Sequence, residues 1–63
     1  MEREEFEKRF KLRDGDNYII VELADSAFYV DDYLLLENGK YVNLYWKGVD
    51  IGYCRLSKVK EVM

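Results

Sequence analysis

The dipeptide Asn38-Gly39, which separates two runs of large apolar residues, constrains the fold of this chain more than any other feature. A two-residue type I′ hairpin turn needs positive φ at both central positions, and Asn-Gly meets this requirement best. The turn also fixes which residues of the two strands oppose each other. It predicts that Glu37 faces Lys40, Leu36 faces Tyr41, Leu35 faces Val42, Leu34 faces Asn43 and Tyr33 faces Leu44.

A second predicted turn, at Lys47-Gly48, extends this hairpin to a three-stranded meander. It sets Trp46 opposite Val49, Leu44 opposite Ile51 and Val42 opposite Tyr53. One face then forms the predicted core, with Tyr33, Leu35, Val42, Leu44, Trp46, Val49, Ile51 and Tyr53. The other face carries Leu34, Leu36, Tyr41, Asn43, Tyr45, Gly52 and Cys54. A strand with one buried face alternates apolar and polar residues, so large side chains on both faces indicate that the rest of the chain or a partner covers the second.

The segments on either side of the meander allow alternatives. Residues 8–13 are predicted to form a strand that pairs across a loop at Asp14–Asn17, with Phe10 opposite Val21 and Arg9 opposite Glu22. The competing prediction is a short N-terminal helix, because residues 2–12 are rich in helix formers and place two phenylalanines four positions apart. A short strand is expected around Phe28 to Val30. The tail forms either a turn at 56–58 and an edge strand, or one helical turn with Leu56, Val59 and Val62 on one side.

Several short strands joined by tight turns in 63 residues predict a single domain, 1–63, of the mainly β class. The expected architecture is a small five-stranded antiparallel barrel or sheet of the SH3-like or OB-like kind, with the short N-terminal helix as the alternative to its first strand. A chain of this size buries only about 60% of its unfolded surface, so the core is expected to be thin.

The residue types that usually carry chemistry are scarce. The chain has no histidine and a single cysteine, Cys54, which excludes the usual catalytic triads, an internal disulfide and the usual zinc sites. Asp14, Asp16 and Asp25 have the spacing of positions 1, 3 and 12 of a calcium loop, but Ile19 stands where that loop needs glycine. We therefore expect no catalytic residues, no metal site and no cofactor, and a protein that is not an enzyme.

Charge is distributed unevenly along the chain. Residues 14–37 carry seven acidic and no basic side chains, whereas both ends are mildly basic, and the net charge is −3. This layout predicts that neighbouring strands of opposite sign pair in the fold. The charged start and the lack of a long apolar run predict a cytoplasmic protein that does not bind membranes.

The second face of the meander is the candidate binding surface, formed by Leu34, Leu36, Tyr41, Asn43, Tyr45 and Lys47. Tyrosine is frequent in protein interfaces, so the expected function is a small protein-interaction module of the inhibitor or adaptor type, which can also form a homodimer. In that dimer, Asp31 and Asp32 would meet Lys58 and Lys60 of the second copy. The alternative is binding of single-stranded nucleic acid, with tyrosines that stack bases beside Lys47. The acidic pI of about 4.8 disfavours this alternative, because phosphate contacts supply most nucleic-acid affinity.

Overall fold

Two antiparallel three-stranded sheets and one helix make up the part of the chain that the structure, a computed structural model, describes: residues 1–11, 19–23 and 26–63. The helix α1 spans Arg3–Lys11, and the strands are β1 (Ile19–Glu22), β2 (Ala27–Val30), β3 (Asp32–Leu36), β4 (Tyr41–Trp46), β5 (Val49–Arg55) and β6 (Glu61–Val62). Sheet A has the order β2-β1-β6, and sheet B has the order β3-β4-β5. The mainly β class is confirmed.

The predicted barrel is wrong, because the two sheets do not close on each other. Residues 8–11 of the strand predicted over 8–13 belong to the helix Arg3–Lys11 instead, and residues 12 and 13 lie outside the described residues. Phe6 and Phe10 of this helix are buried, and their rings pack against Tyr33 with centroids 5.0 and 4.5 Å away. Residues i and i+4 lie on the same side of a helix and also on the same face of a strand, so the spacing alone fits both. In the structure both phenylalanines are buried on one side of the helix.

The residue pairings predicted for the first hairpin are also wrong. Arg9 contacts Glu5 at 2.7 Å and Glu61 at 2.6 Å, rather than Glu22. Val21 pairs with Phe28 of β2 and with Val62 of β6, rather than with Phe10. The predicted loop at Asp14–Asn17 and the calcium-like spacing lie outside the described residues.

The register that Asn-Gly predicts for the β3–β4 hairpin is confirmed. Tyr33 pairs with Leu44, Leu34 with Asn43, Leu35 with Val42 and Leu36 with Tyr41. The turn itself is longer than expected, because Glu37, Asn38 and Gly39 all have positive φ and the strands stop at Leu36 and restart at Tyr41. Glu37 and Lys40 therefore lie in the loop rather than in the paired strands. There the Lys40 amide donates to the Glu37 carbonyl at 3.3 Å.

The register predicted for β5 is correct only at its start. Trp46 pairs with Val49 and Tyr45 with Asp50, but a β-bulge then leaves Ile51 as an extra residue. Beyond it Leu44 pairs with Gly52 and Val42 with Cys54, so the predicted partners Ile51 and Tyr53 are wrong. An extra residue reverses which side of the sheet each later side chain faces.

The core lies between α1 and both sheets. It contains nine buried apolar side chains: Phe6, Phe10, Val21, Val30, Val42, Leu44, Leu56, Val59 and Val62. The tail follows the first of its two predicted alternatives, a turn at Leu56–Lys58 followed by the short edge strand β6. Within the described ranges, no helix is long and apolar enough to cross a membrane.

Candidate functional site

Sheet B presents one side to the core and the other side away from it. We call the second side the outer face. Because Val42 and Leu44 of β4 point into the core, their alternating neighbours and the residues paired with those neighbours point outward. The outer face consists of Asp32, Leu34, Leu36, Tyr41, Asn43, Tyr45, Asp50, Tyr53 and Arg55.

The outer face is open to solvent at the middle of its two edge strands, β3 and β5. Leu34 is 51% exposed and Tyr53 is 55% exposed, while Leu36, Tyr41 and Tyr45 are half-buried. Five of the six candidate residues predicted from the sequence, all except Lys47, therefore share this face. The helix does not cover it, because α1 packs on the opposite side of sheet B through Tyr33.

Tyr53 and Arg55 belong to the outer face, although the sequence-based candidate set lacks them. The rings of Tyr41 and Tyr53 are stacked, with centroids 5.3 Å apart and planes 2° from parallel. The Arg55 guanidinium lies 5.5 Å from the centroid of the Tyr41 ring. Period-two alternation put Tyr53 in the core, and the signal for the exception was Gly52, since glycine within a strand often marks a bulge.

Two side chains hold the bulge that creates this arrangement. The Asn43 side-chain amide donates to the Gly52 carbonyl at 3.1 Å, and the Gly52 amide donates to Asp50 Oδ1 at 3.1 Å. Asn43 was predicted as a binding residue, and its amide group is used within the sheet. Tyr41 and Tyr53 therefore lie on β4 and β5, whose backbone at the bulge is held by these two hydrogen bonds.

Lys47 lies apart from the tyrosines. It occupies the turn between β4 and β5 with φ of 50°, and its amide donates to Asp31 Oδ2 at 3.0 Å. Its Nζ is 5.3 Å from the centroid of the Trp46 ring, and Trp46 points to the other side of β4 from Tyr45. The cation beside the tyrosines is Arg55 rather than Lys47.

The two ends of the outer face differ in charge. Asp32 and Asp50 lie at the end near the β4–β5 turn. Arg55 lies at the opposite end, close to the loop that carries Lys40 and Glu37. Desolvation, together with the nearby Glu37 carboxylate and Tyr41, raises the pKa of Tyr53, while Arg55 acts in the opposite direction.

Other places in the described structure are less distinctive as sites. No group of three or more histidine, cysteine or acidic residues could hold a metal ion in residues 1–11, 19–23 and 26–63. An open cleft of about 740 Å³ beside the start of α1 is lined by Arg3, Lys40 and Arg55 and also by Glu2, Glu4 and Glu37, so side chains of both signs line it. Burial raises the pKa of the Cys54 thiol, which disfavours the reactive thiolate.

Comparison of the chain with protein families, with curated proteins and with solved structures found no match, so the outer face itself is the basis for any proposal about function.

Proposed function

We propose that this protein is a non-catalytic protein-interaction module of the inhibitor or adaptor type, which binds its partner through the outer face of sheet B. The observation that carries the proposal is the exposure of Leu34 and Tyr53, which lie at mid-strand on β3 and β5, on either side of Asn43. Apolar and aromatic side chains gathered on an exposed surface commonly mark an interface.

The chemistry of the face favours a protein partner. Tyrosine offers a large, rigid contact area with a polar tip, and it is enriched at the centres of protein interfaces. Tyr53 is already stacked on Tyr41, so little side-chain freedom remains to be lost when a partner binds. The stacked pair therefore offers a partner an aromatic surface that is already arranged.

Site-directed photo-crosslinking in cells of the native host tests this proposal. A benzophenone amino acid replaces Tyr53 in one variant and Tyr29 in a matched control, since these tyrosines are 55% and 57% exposed but lie on different sheets. We expect a discrete crosslinked protein from position 53 and none from position 29. Leu34→Lys should abolish the crosslink, because it places an unpaired charge within the contact.

Two outcomes would contradict the proposal. One is the absence of any crosslink from position 53. The other is the same set of crosslinked proteins from positions 53 and 29, because this would mean that the outer face has no preference over the exposed aromatic side chains of sheet A.

A second candidate function is favoured by one specific arrangement, the Tyr41–Tyr53 stack with Arg55 beside it. Stacked rings next to a cation are what proteins use to bind the bases of single-stranded nucleic acid. The net charge of −3 and the carboxylates of Asp32 and Asp50 oppose it, because they repel phosphates.

Fluorescence anisotropy with a labelled single-stranded oligonucleotide separates the two functions. The protein-interaction proposal expects no binding at physiological ionic strength. Micromolar binding that weakens steeply with salt, and by about 1 to 3 kcal/mol in Tyr53→Ala, would favour the nucleic-acid function instead.

A further inference from the structure

We propose that the partner on the outer face is a second copy of this chain, packed face to face about a twofold axis that runs across the strands of sheet B. This inference rests on the proposed function of the outer face, and it names the occupant of that surface. A twofold dimer needs only one patch, because the same surface serves both partners.

The orientation of the axis follows from the charges. The end of the outer face near the β4–β5 turn carries Asp32 and Asp50, and the opposite end carries Arg55. A twofold axis across the strands turns the second sheet end for end, so Asp50 of each copy lies over Arg55 of the other. An axis along the strands would instead bring the two acidic ends together, which costs free energy.

The same axis passes close to the midpoint of each strand. The central outward residues are Leu34 in β3, Asn43 in β4 and Tyr53 in β5, and each would lie near its own counterpart. This covers the two exposed large apolar side chains of the face, Leu34 and Tyr53. Asn43 can be covered at low cost, since its side-chain amide already donates to the Gly52 carbonyl.

The size of the face limits the strength of the dimer. Three strands spaced about 4.8 Å apart, with about six residues of roughly 3.3 Å each, give a patch of about 14 by 20 Å. Stable complexes bury about 800 Å² per partner, which is well above what this patch provides. The dimer is therefore expected to be weak, and it will be populated at high micromolar concentration.

This arrangement replaces the charge pairing predicted from the sequence. Lys58 and Lys60 lie in the segment that leads into β6 of sheet A, away from the outer face. The Asp31 carboxylate accepts the Lys47 amide within its own chain. Among the described residues, three charged side chains stand on the face itself. Asp50 and Arg55 face each other across the axis, and Asp32 lies on the edge strand β3.

A charge-exchange experiment tests the dimer and its axis together. Asp50→Arg and Arg55→Asp are prepared separately, and their association is measured by sedimentation at high micromolar protein. Each variant puts two like-charge contacts into its own dimer, and we expect about tenfold weaker association than in the unaltered protein. An equimolar mixture restores opposite charges at both contacts, so we expect association to return to the original level.

The rescue also controls for damage to the fold, because Asp50 accepts the Gly52 amide in the bulge and its replacement could loosen β5. A variant that had lost its fold would not be rescued by mixing. A monomer mass for the unaltered protein, or variants that associate as well as it does, would overturn the inference. So would a mixture that stays as weak as its components when both variants keep the circular dichroism spectrum of the unaltered protein. If the protein is monomeric but position 53 still crosslinks to a different protein, this inference fails while the proposed function stands.

Discussion

Leu44 and Leu34 are two leucines of the same sheet with opposite surroundings. Leu44 is 2% exposed and lies in the core beneath α1, whereas Leu34 is 51% exposed on the outer face. A buried leucine is stabilised by the apolar area it removes from water and by the close packing around it. A half-exposed leucine gains little of either. The different exposed fractions of these two leucines therefore show which side of sheet B packs in the core.

Replacement of each leucine by alanine tests this assignment. We expect Leu44→Ala to lower the free energy of unfolding by about 2 to 5 kcal/mol, a large share of the stability of a small domain. Leu34→Ala should lower it by less than about 1 kcal/mol. Urea unfolding followed by circular dichroism, at a protein concentration low enough to keep the chain monomeric, gives both values. Equal losses would mean that the outer face is covered within the chain.

At the scale of the elements, the two turns of sheet B have the same backbone requirement but different neighbours. Gly39 has φ of +87° and Gly48 has φ of +80°, a region that side chains other than glycine rarely adopt. A Cβ on Gly39 would come 2.8 Å from Cδ of Arg3, whereas a Cβ on Gly48 would meet nothing within 4 Å. The Asn38-Gly39 loop thus packs against the start of α1, and the Lys47-Gly48 turn is free of such contact.

Alanine substitution at the two glycines separates these effects. Each replacement should cost about 1 to 2 kcal/mol through the positive φ. Gly39→Ala should cost more than Gly48→Ala, because Arg3 must also move. The excess should disappear in an Arg3→Ala background, which a double-mutant cycle of unfolding free energies measures. Identical costs at both positions would contradict the contact between the loop and the helix.

The same elements show what could be predicted from the sequence. The register of β3 and β4 was predictable, because Asn-Gly fixes it locally and the apolar pattern agrees with it. Residues 3–11 were harder, since two phenylalanines four positions apart fit a strand or a helix and only the packing on Tyr33 decides between them. The second half of β5 was mispredicted, because a period-two pattern cannot reveal one inserted residue. Tyr53 and Arg55 were missed from the candidate site for that reason.

At the scale of the whole molecule, α1 and the two sheets share one core. Two side chains at the border of this core have pKa values that depend on folding. Tyr33 packs on both phenylalanines of α1, and Cys54 lies against the core from β5. Burial raises the pKa of the Tyr33 hydroxyl, with smaller contributions from Glu7 and Asp32, and burial also raises the pKa of the Cys54 thiol. In both cases the folded protein favours the neutral form.

These shifts predict a loss of stability in alkaline solution. A raised pKa in the folded state contributes stability that is complete below the unfolded pKa and is lost as the pH rises through the folded pKa. The loss should therefore begin near pH 8.5 for Cys54 and near pH 10 for Tyr33 and Tyr53, whose pKa values are both raised. Cys54→Ala should remove the first phase and keep the second. Unfolding midpoints in urea from pH 7 to 11 measure both, and a stability that stays constant between pH 8 and 10 would contradict the burial of the thiol.

The bulge at Ile51 also affects how large an assembly this chain can build. β5 is an edge strand of sheet B. A regular edge strand offers its free amides and carbonyls to further strands, and sheets grow into fibres in this way. Here the extra residue interrupts the repeat, and the Gly52 amide is already bonded to Asp50. Growth along this edge of sheet B is therefore disfavoured. A contact through the outer face about a twofold axis would use up that surface in one pairing, so growth through that face would stop at two chains.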